Sequence, residues 1–182
     1  MFLAFNIVVL AFLGFFMFWL VSMIISSLTR APYVPTAGNA YQKALELAEP
    51  KAGEKLFDLG CGDGRILRFA ATKYGVVGIG YEISPYCILV NYFKNRSGKF
   101  RDNVKVYKKP LQEADFGQAD IIFLYLTNSI LDAVEQNLFA KIKPSCRVVT
   151  VAFKFEHHRP VKKVEVAQLG RKTFAYLYEK TS

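Results

Sequence analysis

Three alternating glycines at the end of a predicted strand form the part of this sequence best suited to chemistry. Residues 55–59 (Lys-Leu-Phe-Asp-Leu) are expected to be a buried strand, and three glycines follow it at two-residue spacing: Gly60, Gly62 and Gly64. A helical pattern begins directly after them. Because glycine has no Cβ atom, such a strand-to-helix turn lets the backbone pass close to a bound ligand. The turn therefore predicts a ligand-binding site, with the carboxylate of Asp58 beside it.

The spacing of these glycines does not match one common class of cofactor site. Nicotinamide and flavin cofactors bind G-x-G-x-x-G turns, but the residue three positions after Gly62 is Arg65. An acid two residues before the first glycine, with glycines at strict two-residue spacing, instead resembles motif I of the class I S-adenosylmethionine (SAM) methyltransferases. The resemblance implies SAM as the cofactor. It also implies that Asp58 lies near the methionine part of SAM.

A second carboxylate supports the same resemblance. Residues 76–81 predict the next strand, and Glu82 stands at its tip, where the family carries an acid. A carboxylate can accept hydrogen bonds from both vicinal hydroxyls of a ribose. Ser84 and Pro85 then provide an N-cap and a first-turn proline for the following helix. The alternative is an α/β domain whose glycines only make a tight turn. The resemblance implies these cofactor-binding residues: Asp58, Gly60, Cys61, Gly62, Gly64, Glu82, Ile83 and Leu111.

Four segments narrow the resemblance to one branch of the methyltransferases. They are Tyr33-Val34-Pro35-Thr36, residues 58–65, residues 80–85, and Tyr107-Lys108-Lys109. Together they resemble the membrane-anchored lysine methyltransferases of adenine nucleotide translocase and the ATP synthase c-subunit, with their prokaryotic relatives. This resemblance covers most of residues 30–160. It implies a lysine acceptor, and it implies that Pro35 and Thr36 frame the acceptor opening.

The chain departs from other methyltransferases at two positions. Many class I enzymes place an acid just after the third strand to hold the adenine amino group, whereas this chain has Pro110 there. We therefore expect backbone and apolar groups to contact adenine. Enzymes that methylate amino groups of adenine, cytosine or glutamine typically carry Asn/Asp-Pro-Pro-aromatic after the fourth strand. This chain reads Tyr125-Leu126-Thr127-Asn128, which argues against that chemistry.

Tyr125 and Asn128, at the end of the fourth predicted strand, are the candidate catalytic residues on the acceptor side. The alternative is that Tyr125 is a core aromatic residue and Asn128 a helix cap. His157 and His158 are adjacent, and neighbouring histidines in an extended segment usually point apart. No Cys or acidic cluster lies beside them in the sequence, so we predict no metal site and assign them no role.

The beginning of the chain predicts a membrane anchor. Residues 2–28 contain no charged side chain, and about 20 apolar residues span the hydrocarbon core of a bilayer. A cleaved signal peptide would begin with positive charge and have a shorter apolar core, and a buried core helix is the remaining alternative. Basic residues follow the segment, so the positive-inside rule predicts a single-pass protein with its catalytic domain on the cytoplasmic or organellar matrix side. We expect an anchor at 1–29 and a methyltransferase domain at 30–182.

Charge and cysteine content suggest the partners and the compartment. The net charge is +9, and seven Lys or Arg lie between Lys94 and Lys109. On a soluble domain this would suggest RNA, but beside an anchor it favours anionic lipid head groups. A solvated basic face without a partner is the alternative. We therefore expect the bilayer and a membrane-protein lysine as partners, without nucleic acid. The cysteines are odd in number and widely separated, which is typical of a reducing compartment: Cys61, Cys87 and Cys146.

Strands that alternate with helices must position these residues. The pattern predicts an α/β Rossmann-like methyltransferase sheet with helices on both faces, preceded by one transmembrane helix. Thr36 is expected to cap a helix over 37–49. Helices are also expected over 65–73, from Ser84 to about 96, and over 130–142. The expected strands are 55–59, 76–81, 104–107, 121–126 and 147–155, with an edge hairpin at 161–166 and 173–178.

Three functions are consistent with this sequence. A protein-lysine methyltransferase that acts on a membrane protein is favoured by the branch resemblance. A methyltransferase for a lipid or lipophilic small molecule fits the anchor and motif I equally well. A non-catalytic SAM-binding subunit is the third hypothesis. Radiolabelled SAM distinguishes them, since the label would enter a protein, a lipid or neither.

Overall fold

A computed structural model describes residues 2–28, 36–96 and 100–180 of the chain. Its helices and strands alternate after a long first helix, as the sequence predicts. The helices are α1 (Phe2–Leu28), α2 (Gly38–Ala48), α3 (Arg65–Tyr74), α4 (Pro85–Asn95) and α5 (Asn128–Lys141). The strands are β1 (Lys55–Leu59), β2 (Val77–Glu82), β3 (Val104–Lys108), β4 (Ile121–Leu124), β5 (Arg147–Val151), β6 (Lys162–Gln168) and β7 (Arg171–Glu179).

The strands form one sheet in the order β3-β2-β1-β4-β5-β7-β6. Strands β1 to β5 pair in parallel, whereas β7 runs antiparallel to both β5 and β6. The chain moves outward from β1 to β3 and then returns to place β4 on the other side of β1. Such a switch point opens a crevice at the carboxyl ends of the strands, where α/β proteins bind their ligands. The predicted fold class and the edge hairpin are confirmed.

The core lies on both faces of the sheet. On one face, α2 and α3 bury apolar side chains such as Leu45 and Leu67, and on the other face α5 buries Leu131 and Leu138. Strand β4 is buried along its whole length because it lies between two strands and two layers of helices. The three cysteines are free and buried, as expected of small core residues.

Several boundaries differ from the sequence prediction by one or a few residues, and two of the differences bear on the cavity. The N-cap of α2 is Ala37, without a side-chain hydrogen bond, so the prediction that Thr36 caps this helix is wrong. Thr36 is instead buried one position earlier. The sequence pattern extends β5 to Phe155, but the strand ends at Val151, because Ala152 adopts a left-handed φ of 68°. The Thr150 hydroxyl then donates a 2.6 Å hydrogen bond to the Phe153 carbonyl, which turns the chain toward the crevice.

Helix α1 is 27 residues long, and its apolar side chains are mostly exposed. Residues Phe2–Ile24 are long and apolar enough to cross a membrane, by length and composition alone. The helix contacts the rest of the chain at Ser22, which is buried against the start of α4. Its hydroxyl lies 2.8 Å from that of Ser84 and accepts a 3.0 Å hydrogen bond from the Tyr86 N–H.

Candidate active site

A cavity of about 650 Å³ opens at the carboxyl ends of β1, β2 and β4. It lies at the switch point of the sheet, where the fold predicts a ligand site. The structure brings most of the sequence-predicted site residues into its wall: Thr36, Asp58, Gly60, Cys61, Gly62, Glu82, Ile83, Leu111 and Tyr125. Gly64 and Asn128 do not line it, and Pro35 lies outside the described residues.

The glycine turn is held against the end of β2 by its backbone. The Gly60 N–H donates to the Tyr81 carbonyl at 2.9 Å, and the Gly62 N–H donates to Oε2 of Glu82 at 2.8 Å. Gly60 has a φ of +84°, which side chains other than glycine rarely adopt. A Cβ atom there would also approach Leu126 to 3.1 Å. Glycine is therefore needed for both the conformation of the turn and the space around it.

Gly64 contributes to packing behind the turn, away from the cavity. Its φ is +73°, and an added Cβ atom would lie 2.0 Å from Oδ1 of Asn91. The Asn91 side chain donates to the Gly62 carbonyl at 2.7 Å and to the Cys87 carbonyl at 2.9 Å. The sequence reasoning missed this support. The sequence feature that could have indicated it is the polar residue Asn91 directly after the apolar run Cys87-Ile88-Leu89-Val90 on α4.

Glu82 joins two loops at the edge of the cavity. Its Oε1 accepts hydrogen bonds from the Ile83 and Ser84 N–H groups, both at 2.8 Å, while Oε2 accepts the bond from Gly62. These three backbone bonds fix the carboxylate in one orientation. Each carboxylate oxygen has two lone pairs, so Oε1 is saturated by its two backbone bonds and Oε2 keeps one acceptor position for a ligand hydroxyl group. The Ser84 side chain also accepts from the Cys87 N–H, which confirms the predicted N-cap of α4.

Asp58 is a buried carboxyl group at the end of β1. Among the described residues, its Oδ2 atom has no hydrogen-bond partner. Burial, followed by the charges of Glu82 and Asp63, raises the pKa of Asp58 to about 8. A buried polar atom without a partner is costly, and it therefore marks a place where a ligand can supply the missing interaction. A hydrogen-bond donor or a positively charged group on a ligand would meet that need.

The part of the cavity wall that follows β4 contains a hydrogen-bonded link between distant segments. The Gln168 side chain donates to the Tyr125 hydroxyl at 3.1 Å and accepts from the Ala37 N–H at 2.7 Å. Gln168 is buried at the end of β6, and it thereby holds Tyr125 beside the segment that contains Thr36. Sequence reasoning missed Gln168, because nothing in a surface hairpin signals a partner 43 residues away.

Tyr125 and Asn128 occupy different environments. Tyr125 is half-buried, packs against the core and also lines the cavity, and a catalytic role for it stays a prediction. Asn128 is exposed at the first position of α5, and the N-cap of that helix is Thr127, without a side-chain hydrogen bond. The interpretation of Asn128 as the cap is therefore wrong. The wall near Tyr125 is otherwise largely apolar, with Phe123 and Phe153 as its aromatic members.

The segment after β3 forms the opposite wall. Pro110 and Leu111 line it with apolar surface, and Gln112 adds an amide. No acid from this segment faces the cavity within the described residues.

The two histidines lie outside the cavity wall. The His158 ring stacks on Phe139 and its Nδ1 lies 2.7 Å from Oε1 of Glu135. Glu135 is buried and also accepts the N–H groups of residues 156–158, so the pair organises a loop. Across residues 2–28, 36–96 and 100–180, no three His, Cys, Asp or Glu side chains are grouped to hold a metal ion.

Comparison with known proteins identifies the family. A family model described as the ANTKMT methyltransferase domain matches residues 58–162, which is more than half of the chain. The chain belongs to this family. A protein-lysine N-methyltransferase of Saccharolobus islandicus (strain REY15A) is 29% identical to this ANTKMT-family chain, over 84% of the chain and 96% of the relative. The lysine N-methyltransferase of the ATP synthase c-subunit from Rattus norvegicus is 26% identical, over 71% of the chain and 59% of the relative.

A solved structure supports both the fold and the cofactor. It is described as an RNA methyltransferase from Salinibacter ruber in complex with S-adenosyl-L-homocysteine, and its TM-score to the ANTKMT-family chain is 0.74. The sequences are 31% identical, with 81% of this chain and 94% of that chain covered. The ANTKMT-family chain is therefore a SAM-dependent methyltransferase with a Rossmann-like sheet, and the resemblance based on motif I is confirmed.

The residues of the cavity fit SAM. The Oδ2 atom of Asp58, which has no partner among the described residues, suits the cationic methionine end of SAM. The glycine turn leaves room for close approach, and Oε2 of Glu82 keeps one lone pair for a ribose hydroxyl. Pro110 and Leu111 offer apolar contact for the adenine ring. When bound, SAM supplies a methyl group that its sulfonium makes electrophilic. The residues of this ANTKMT-family enzyme then have to bind the acceptor, orient it and exclude water.

Proposed function

We propose that this chain transfers a methyl group from SAM to the side-chain amine of a lysine in a membrane protein. One observation carries the proposal: a methyltransferase domain of this family is joined, in one chain, to a helix whose apolar side chains face outward. The relatives from Saccharolobus islandicus and Rattus norvegicus are both named for lysine N-methylation, and the rat protein is named for a component of ATP synthase. The chain spans 59% of that rat relative's length. A membrane-protein acceptor like that of the rat enzyme is therefore part of the proposal.

We propose that residues 1–29 anchor the protein and that residues 30–182 form the catalytic domain. A single-pass anchor would keep the cavity beside the bilayer and raise the local concentration of membrane-protein acceptors. Positive side chains follow the apolar segment, which supports a domain on the cytoplasmic or organellar matrix side.

The acceptor side of the cavity suits an amine. A lysine amine has an unperturbed pKa of about 10.4, so it must lose a proton before it can attack a methyl group. Entry into a largely apolar, aromatic-lined space lowers the pKa of an amine because burial disfavours its charged form. The Tyr125 hydroxyl, which already accepts a hydrogen bond from Gln168, retains a proton and a lone pair with which to orient the acceptor nitrogen. Aromatic faces also tolerate methylated ammonium groups. We propose Tyr125 as an acceptor-orienting residue, together with Thr36 and Pro35 at the opening, and Asn128 as a more distant contributor at the rim.

Radiolabelled SAM tests this proposal directly. The purified full-length protein is incubated with labelled SAM and membranes from its source cells. A Glu82→Ala variant serves as the cofactor-defective control. Glu179→Ala serves as the control for loss of a glutamate away from the cavity, because Glu179 is exposed at the end of β7. We expect label in a membrane-protein band with the wild type and with Glu179→Ala, and strongly reduced label with Glu82→Ala.

Each alternative function gives a different result. Label in the lipid extract would replace the proposal with a lipid or small-molecule methyltransferase. Label in RNA would indicate an RNA methyltransferase, which is the activity that the Salinibacter ruber protein is named for. Binding of SAM without incorporation into any fraction would indicate a non-catalytic SAM-binding subunit.

A further inference from the structure

The outward face of α4 is unusually apolar for a surface helix. The side chain of Leu89 is 41% exposed, that of Tyr92 58% and that of Phe93 63%. These positions recur at three- and four-residue spacing and therefore form one stripe along the helix. The opposite face of α4 buries Cys87 and Asn91 against the rest of the domain. The helix thus has a packed inner face and an apolar, aromatic outer face, which we call the α4 stripe (Leu89, Tyr92 and Phe93).

Helix α4 begins where α1 meets the domain. Ser22 of α1 bonds to the Ser84 hydroxyl and the Tyr86 N–H, and these two residues flank the first turn of α4. Ser22 lies two residues before Ile24, the end of the membrane-compatible stretch, so it is about 3 Å along the helix from that end. If α1 spans a bilayer, the start of α4 lies at the level of the bilayer surface.

The length of α4 keeps its whole stripe close to that surface. From Tyr86 to Phe93 the helix rises about 10 Å even if it stands upright on the membrane. The polar interface of a bilayer is about 5–10 Å deep. The stripe therefore stays within or just above the head-group region in any orientation of α4, and tyrosine and phenylalanine are favourable there.

Basic residues border the α4 stripe. The Arg96 guanidinium lies 5.6 Å from the centre of the Tyr92 ring and donates to its hydroxyl at 3.3 Å. Arg101 is exposed, and with Arg96 and Tyr92 it lines a cleft of about 460 Å³ between α4 and β3. Two guanidinium groups beside an aromatic patch suit the phosphates of anionic lipid head groups.

We infer that the α4 stripe is a second membrane contact, which lies in the head-group region of an anionic bilayer while Arg96 and Arg101 bind lipid phosphates. The inference rests on the proposed insertion of α1. It also has a consequence for the site, because Ser84, at the start of α4, donates its N–H to Glu82 in the cavity wall. Two contacts, α1 and the α4 stripe, would fix the orientation of the cavity relative to the bilayer, which a single contact would not do.

Fluorescence quenching by brominated lipids tests this contact in the full-length protein. The chain has one tryptophan, Trp19, in α1. In a Trp19→Phe background, Phe93→Trp places the single tryptophan on the α4 stripe. The matched control is Val161→Trp in the same background. Val161 is 49% exposed and lies at the opposite edge of the sheet, near the amino ends of the parallel strands. Each protein is reconstituted into vesicles of phosphatidylcholine and phosphatidylglycerol, with bromine either near the head groups or deep in the acyl chains. Dissolved acrylamide serves as the aqueous quencher.

We expect the tryptophan at position 93 to lose more fluorescence with shallow than with deep bromine, and to be protected from acrylamide. The tryptophan at position 161 should respond only to acrylamide. Adding Arg96→Gln and Arg101→Gln, or omitting phosphatidylglycerol, should reduce the lipid quenching at position 93.

The remaining outcomes overturn the inference in distinguishable ways. If Trp19 of the wild type is quenched by bromolipid and position 93 is not, α1 is inserted but the α4 stripe does not touch the bilayer. Protection of position 93 from both quenchers would mean that protein, either the same chain or a second copy, covers the α4 stripe in place of lipid. No quenching of Trp19 would contradict the insertion of α1, and the α4 contact with it.

Discussion

Asp58 is the group whose charge should change when SAM binds. Its Oδ2 atom has no partner among the described residues, and burial, together with the charges of Glu82 and Asp63, raises its pKa to about 8. At pH 7 the side chain is then roughly nine-tenths protonated in the free protein. The resemblance to motif I implies that the methionine end of SAM, which carries positive charge, lies beside this carboxyl. A neighbouring cation favours the ionised form, so SAM binding should release the Asp58 proton.

The size of this effect follows from the pKa values. If bound SAM returns the pKa of Asp58 to about 4, binding at pH 7 releases about 0.9 proton. The Kd for SAM should then fall up to about tenfold per pH unit between pH 5 and 8, and level off above pH 8. Without SAM, the folded protein keeps the proton over the same window while the unfolded chain has lost it. The free energy of unfolding should therefore decrease as the pH rises from about 4 to 8, by at most ~1.4 kcal/mol per unit.

Titration calorimetry in two buffers measures the proton release. The full-length protein in detergent is titrated with SAM at pH 7 in phosphate and in Tris, whose ionisation enthalpies differ. The observed enthalpy should depend on the buffer for the wild type and much less for Asp58→Asn. The α-amino group of SAM is already mostly protonated at pH 7, so its own proton uptake on binding is small beside the release from Asp58. Equal buffer dependence in the two proteins, or a wild-type Kd no more dependent on pH than that of Asp58→Asn, would refute this reasoning.

Three further predictions concern other contacts of the site and its support. Glu82→Ala should weaken SAM binding by about 1.5–3 kcal/mol in calorimetry, because a charge-assisted hydrogen bond is lost; wild-type affinity would mean that Glu82 does not contact the cofactor. Gln168→Leu should lower kcat about tenfold by releasing Tyr125, with little change in the Kd for SAM. Its effect should not add to that of Tyr125→Phe, and full additivity of the two would argue that Gln168 acts elsewhere. Burial alone would raise the pKa of Glu135, but hydrogen bonds from His158 and the backbone lower it overall. Glu135 should therefore stabilise the fold above the unfolded-state pKa and lose that contribution as the pH falls through the lowered value. Glu135→Gln should cost about 1–3 kcal/mol at pH 7, measured by thermal unfolding, and the difference from the wild type should shrink in acid.

Local sequence patterns predict the fold and the cofactor side of the cavity. The glycine turn and the Ser84 cap each depend on residues within a few positions of one another, and Glu82 is recognised by its place at the end of a strand. Glycine, serine and proline favour particular backbone conformations, so their positions in the sequence predict these turns. Strand β1 has its predicted bounds for the same reason, since it ends directly before the first glycine.

The rest of the site depends on contacts between distant segments. Gln168 reaches Tyr125 and Ala37, which lie 43 and 131 positions away, and Ser22 reaches Ser84 across 62 positions. Hydropathy periodicity contains no information on such pairs. The error at Thr36 has a similar origin, because burial at the cavity wall prevailed over the local preference of threonine for a helix cap. The acceptor side is therefore the part of the molecule that sequence patterns describe least.

Methylation of a lysine in a membrane protein is the central proposal for this methyltransferase. The most direct measurement is quantitative mass spectrometry of membrane proteins from cells that have the enzyme, lack it, or carry only Glu82→Ala. We predict one or a few lysine residues that are methylated with the active enzyme and unmethylated in the other two strains. Unchanged lysine methylation, with a difference confined to lipids or quinones, would contradict the proposal.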